Sequence, residues 1–120
     1  MYNIIFYIDD AGHSEVLDFI VSLRSKSDKT SRVQLKKINE YISALAAYGT
    51  VCGKPYLDHL DDEIWELRPH RSRFLFAKDG EAFIILSHFT KDTKTTPRRE
   101  IEKAKRAYQK YLEANHEESE

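Results

Sequence analysis

Residues 72–89 read SRFLFAKDGEAFIILSHF, two apolar runs joined by Lys-Asp-Gly-Glu. Asp-Gly is favoured in a two-residue type I′ turn, whose twist matches that of its flanking strands, so the two runs are expected side by side as an antiparallel hairpin. With Asp79-Gly80 as the loop, Lys78 pairs with Glu81. Counting back sets Leu75 opposite Ile84, Arg73 opposite Leu86 and Arg71 opposite His88. Opposed residues share a sheet face, so Arg71, Arg73 and His88 are expected together at one end of one face. A single bulged residue would undo the count.

The preceding segment, EIWELR, alternates in the same way. Ile64, Glu66 and Arg68 fall on one face, Trp65 and Leu67 on the other. An even-numbered loop through Pro-His-Arg brings Glu66 and Arg68 beside the arginines. Trp65, Leu67, Phe74, Phe76, Phe83 and Ile85 then line the opposite face, which is assigned to core.

Upstream, YNIIFYI is rich in β-branched and aromatic residues and predicts a first strand. Val16, Phe19, Ile20 and Leu23 follow helical spacing behind Ser14 as N-cap. From about Asp28, Leu35, Ile38, Ile42 and Leu45 form a second stripe that stops at Gly49. PYLDHL reads as a short strand. The order β, α, α, a run of strands, then α predicts an α+β domain, with a helical hairpin on a mainly antiparallel sheet and a C-terminal helix. At 120 residues the chain makes one domain, and no apolar run is long enough for a membrane span. MYNIIFYIDD lacks the features of a signal peptide. The single Cys52 excludes an internal disulfide and a multi-cysteine zinc site and suits a reducing compartment, so cytoplasm is expected.

The net charge of −1 conceals an asymmetry. Residues 88–111 hold eight Lys/Arg against three Asp/Glu, whereas the last eight residues hold four Glu. The last helix is expected to start at Pro97, capped by Thr96 or Thr95. Ile101, Ala104, Tyr108 and Leu112 share its apolar face; Arg99, Lys103, Arg106 and Lys110 lie opposite. That stripe is either a solvated helix back or a surface for phosphates or an acidic partner.

The arginines and His88 meet Lys91 and Lys94 where the chain leaves the sheet. Like charges repel and resist desolvation, so a core does not gather them, whereas a phosphate does. No Gly-rich phosphate loop, nucleophile elbow or metal-binding helix motif is present, and the acidic DHLDDE segment at 58–63 reads better as a strand-connecting turn than as a metal site. No metal and no cofactor are expected. What remains is chemistry on a phosphodiester that carries its own nucleophile, the RNA 2′-hydroxyl. The protein must deprotonate it, stabilise charge on the phosphoryl oxygens and protonate the departing 5′ oxygen. Arginine forks suit the second task. His88 is a candidate acid or base, with a structural role standing beside it, and Lys91 is a second proton-transfer candidate; the residues leave the assignment open. Glu66 is expected to orient Arg73. Arg71 and Lys94 are placed as phosphate ligands by register and proximity.

KPYLDHLDDEIWELRPHRSRFLF, AFIILSHFTKDTKTTPRREIEKAKR and the leading strand with two helices resemble the RelE/ParE toxin superfamily, and within it the HigB-like, phage-related branch. The likeness spans about residues 2–112. It rests on W-E-L-R, an R-x-R strand, an apolar-apolar-x-H-x-F-x-K segment and T-P opening a helix. It implies a toxin domain over 1–112 with an acidic tail at 113–120, and a metal-independent endoribonuclease that cleaves mRNA on the ribosome. It also implies a cognate helix-turn-helix antitoxin of HigA type. Family site residues correspond here to Arg68, Arg73, His88 and Lys91, with RNA contacts extended to Arg71, Lys94, Arg99, Lys103 and Arg106. The sequence departs from the branch pattern where Asp92 follows Lys91 and Thr95 precedes Thr96-Pro97; Lys94 compensates for the missing cation. A gyrase-inhibiting relative of ParE and a non-enzymatic nucleic-acid-binding module are the alternatives.

Overall fold

The computed structural model describes residues 1–118. Strand β1 (Asn3–Phe6) is followed by helices α1 (Glu15–Arg24) and α2 (Lys29–Tyr48) and a 3-10 turn at Gly49–Cys52. Strands β2 (Leu57–Asp61), β3 (Ile64–Leu67), β4 (Ser72–Asp79) and β5 (Ala82–Thr90) come next, and α3 (Arg98–Glu118) closes the chain. The five strands form one sheet in the order β1-β5-β4-β3-β2, with β1 parallel to β5 and the other pairs antiparallel. This is the expected α+β architecture. Helix α3 continues into the acidic segment expected at 113–120, of which residues 119 and 120 lie outside the described residues.

Both helix starts follow their local chemistry. The Ser14 hydroxyl accepts from the Leu17 amide at 3.2 Å, and the Asp28 carboxylate accepts from the Ser31 amide at 2.9 Å, each satisfying an amide that the helix cannot. Gly49 ends α2 with φ +64 and ψ −154, a conformation open essentially to glycine. Helix α3 departs from expectation. It begins at Arg98, with the Pro97 carbonyl accepting from the Glu100 amide, and the Thr96 hydroxyl bonds to Glu66 instead of capping the helix.

The sheet is covered on both faces. Val16, Ile20 and Leu23 of α1 and Ile38 and Leu45 of α2 pack on Leu67, Phe74, Phe76, Phe83 and Ile85, which is the face assigned to core, with Trp65 packed against it. A second core lies on the other face, where Ile101, Ala104 and Tyr108 of α3 cover Ile64, Leu75, Ala77, Ile84 and Leu86. Helix α3 is tied down at its flanks. Asp61 pairs with Arg98 at 2.8 Å and Lys105 at 2.7 Å, Lys103 pairs with Glu15, and Lys110 reaches Asp10 at 3.3 Å. Such exposed pairs each add at most about 1 kcal/mol, so the apolar stripe holds the helix and the pairs fix its rotation.

The hairpin corrects the expected register twice. The loop is Gly80-Glu81, one residue later than the count assumed, because Asp79 pairs with Ala82. Between Leu75 and Phe76 the ladder then slips by a residue: Phe76 pairs with Ile85 but Leu75 pairs with Ser87. Beyond this bulge Arg73 faces Phe89, and His88 faces Phe74. Arg73 and His88 therefore lie on opposite faces, not together.

A Cβ built on Gly49 stands 2.8 Å from a ring carbon of Tyr2, in a backbone conformation that side chains avoid. Gly49→Ala is expected to lower stability by about 1–3 kcal/mol, read from the urea midpoint at unchanged m value.

Candidate active site

The β3–β4 turn builds one wall of the site. Leu67 pairs with Phe74, so the ladder extended by one step sets Arg68 opposite Arg73, as an even-numbered loop requires. Arg73 is buried, 7% exposed, and its Nη1 donates to the carbonyls of His70 at 2.9 Å and Ser72 at 2.8 Å. Glu66 is also buried; its Oε1 lies 3.5 Å from the Arg68 Nε and its Oε2 accepts from the Thr96 hydroxyl. Glu66 thus fastens the β5–α3 loop to the sheet and holds Arg68, and among the described residues it makes no hydrogen bond or ion pair to Arg73, which it was expected to orient. Its charge still acts on Arg73: burial pulls the Arg73 pKa down, Glu66 pulls it back up, Arg68 lowers it and Tyr41 raises it.

The other wall is the segment after β5. The Lys91 amide donates to the Arg71 carbonyl at 2.8 Å, carrying the strand pairing past Thr90. Arg68, Arg73, Lys91 and Lys94 then surround a shallow notch with Glu66, Phe89 and the threonines 93, 95 and 96. Its free space is about 10 Å³, room for one water-sized group, so a larger ligand can only rest across its mouth. Four cations against one carboxylate leave a net positive concavity that can stabilise an anionic phosphoryl group.

Five of the expected residues meet there, Arg68, Arg73, Lys91, Lys94 and Glu66, and the remainder do not. Arg71 is exposed in the turn and does not line the notch. His88 lies across the sheet, its ring stacked on Phe19 with centroids 3.7 Å apart and 5.0 Å from Phe74, while its amide donates to Glu15 at 3.0 Å. Burial lowers its pKa to about 4, outweighing the pull of Glu15 and assisted by Lys103. A neutral, stacked His88 is part of the packing under α1. On α3, Arg99, Lys103 and Arg106 are exposed as expected; Lys103 is taken up by Glu15, and Arg99 and Arg106 have no ion-pair partner among the described residues. The acidic segment after His59 serves α3: Lys105 and then Arg98 hold the Asp61 carboxyl below its usual range. Among the described residues no cluster of His, Cys, Asp and Glu is arranged to hold a metal, and no helix is long and apolar enough to cross a membrane. Sequence reasoning missed Phe89 and the threonines. The cue for Phe89 was its alternation with His88, obscured by the bulge.

A family described as "Phage derived protein Gp49-like (DUF891)" matches residues 23–109. In sequence, the chain has no significant match among curated proteins. Among solved structures it is similar to a chain in "YoeB-YefM complex from Staphylococcus aureus", with a TM-score of 0.51 and 18% identity over 78% of this chain and 99% of that one. A heterotetrameric YoeB-YefM toxin-antitoxin complex from the same organism gives the same TM-score, identity and coverage. At this identity the likeness is one of fold. With the family match, it bears out the resemblance to the RelE/ParE superfamily and the RelE-like fold.

The lowered pKa of His88 has a stability consequence. Below about pH 6.5 the unfolded chain takes up a proton that folded His88 refuses until about pH 4. The His88 contribution is therefore expected to lower stability by on the order of 3 kcal/mol between those values and to change no further beneath them. Asp9, Asp28 and Asp61, whose pKa values are lowered, titrate below this window. Urea melts across pH 7 to 4 should show the decline in the wild type and its loss in His88→Phe, which keeps a ring against Phe19.

Proposed function

Because the chain belongs to the Gp49-like family of phage-derived proteins, we propose that it is the toxin of a type II toxin–antitoxin system and acts as a metal-independent endoribonuclease on mRNA. The observation that carries this reading is the convergence of Arg68, Arg73, Lys91 and Lys94 on one notch, with Arg73 buried and held by two carbonyls. The RNA 2′-oxygen attacks the scissile phosphorus, its proton passes to a base, the P–O5′ bond breaks and the 5′ oxygen takes up a proton. Arg73 and Arg68 stay charged throughout and stabilise the phosphoryl oxygens as negative charge builds. With His88 across the sheet, the proton-exchanging groups left at the notch are Lys91, Lys94 and Glu66. Lys91, anchored by its own backbone bond, is assigned the central proton-transfer role.

The ribosome is proposed as the place of cleavage, with exposed Arg99 and Arg106 on α3 meeting ribosomal RNA. The solved relatives come from toxin–antitoxin complexes, which supports a cognate antitoxin for this chain as well. A HigA-like helix-turn-helix protein with an acidic segment over the notch silences the toxin by occupying its substrate surface. The cytoplasm is the compartment this reading requires.

Controlled expression with primer extension on cellular transcripts tests the proposal. Wild type and His88→Phe should arrest growth and produce discrete new 5′ ends within reading frames. Arg73→Ala should lose the cuts by about 100-fold or more, the scale of removing one preorganised donor to a developing oxyanion. Growth arrest with intact transcripts would contradict the nuclease and favour the gyrase-inhibiting alternative. Cutting that survives Arg73→Ala would place the chemistry elsewhere.

A further inference from the structure

A second concavity lies against α2 and the segment that leads into β2. Tyr41 on α2, Tyr48 at the end of that helix and Tyr56 just before β2 wall a cleft of about 340 Å³, with Lys37 and Glu40 on its rim. The rings of Tyr41 and Tyr56 meet edge to face, 4.9 Å apart, while Tyr48 is 65% exposed and Tyr56 40%. Tyrosines are enriched at binding faces, where one end of the ring meets an apolar surface and the other meets water. The cleft and the notch share a backbone seam. The Arg68 amide donates to the Tyr56 carbonyl at 2.9 Å, and the Tyr41 phenol acts on the charge of Arg73.

A cation cluster that takes a phosphate, joined through the Arg68–Tyr56 backbone bond to an aromatic platform, matches the pattern by which proteins hold single-stranded nucleic acid. Resting on the nuclease reading, we propose that the tyrosine cleft is a nucleobase subsite. A base neighbouring the phosphate in the notch stacks on Tyr48 and Tyr56, and Lys37 meets the next phosphate along the strand. The volume is at the lower end of the range for small-molecule sites, roughly 300–1,000 Å³, which suits one nucleoside better than a partner helix. Stacking is indifferent to base identity, so the subsite sets the register of the strand more than its sequence.

The test uses a short oligouridylate with 2′-deoxy sugars, which cannot be cut, and an abasic oligomer with the same number of phosphates. Binding of each is followed by fluorescence anisotropy. The wild type is expected to prefer the base-bearing oligomer by about five- to a hundredfold, the range of one stacked base. Tyr48→Ala with Tyr56→Ala should abolish that preference while leaving affinity for the abasic oligomer unchanged, and Tyr48→Phe should retain it. Equal wild-type affinity for the two oligomers, or an undiminished preference in the double variant, overturns the subsite. So does a double variant that binds RNA normally but loses the antitoxin, since the cleft then belongs to the protein partner. Arg73→Ala separates the two ideas: if the notch holds phosphate, it weakens both oligomers alike. If it weakens neither while the tyrosine-dependent preference persists, the subsite stands and the notch reading fails.

Discussion

Where Leu75 faces Ser87 while its neighbour Phe76 faces Ile85, the central hairpin carries one extra residue in β5, and the layers of the molecule are sorted by it. Before the slip, the two strands send Phe76 and Ile85 towards α1 and α2, and Ala77 and Ile84 towards α3. After it, His88 joins Phe74 under α1, and Arg73 is left on the α3 side opposite Phe89. Without the extra residue, Arg73 would stand opposite His88. A bulge of this kind costs ladder regularity and in return re-aims side chains at the end of a sheet. Here it separates an imidazole that packs from a guanidinium that faces the notch.

Most of the architecture was legible because it is locally encoded. Ser14, Asp28 and Gly49 sit where helices α1 and α2 start and stop, and each acts through its own backbone neighbourhood. The alternation of Trp65, Leu67, Phe74 and Phe76 assigned one core face correctly, and the even-numbered β3–β4 loop brought Arg68 to Arg73. The bulge was not legible, because AFIILSHF contains no glycine or proline to mark it. Its one trace is Ser87, a buried polar residue whose hydroxyl has no partner among the described residues. Thr96 misled for a different reason. A threonine before Pro-Arg is a good local cap, but a tertiary partner, the buried Glu66 carboxylate, claimed its hydroxyl.

Glu66 explains how so many cations stay assembled at the sheet end. Two buried or half-buried guanidiniums and two nearby ammonium groups repel one another, and a single carboxylate among them supplies the compensating charge and two of the fixing contacts. The same economy appears in α3. Its inward stripe closes the second core and its flanks are pinned by Asp61 and Glu15, leaving Arg99 and Arg106 outward.

The central claim is that the notch between the β3–β4 turn and the β5–α3 loop receives the scissile phosphate. Titrating the ¹⁵N-labelled protein with an uncleavable 2′-deoxy dinucleotide tests it most directly. The account predicts that the side-chain Nε–H signals of Arg68 and Arg73 and the amides of Lys91 to Thr96 shift together and saturably, with the His88 ring unmoved. Shifts centred on His88, or confined to Arg99 and Arg106 with the notch silent, would contradict it.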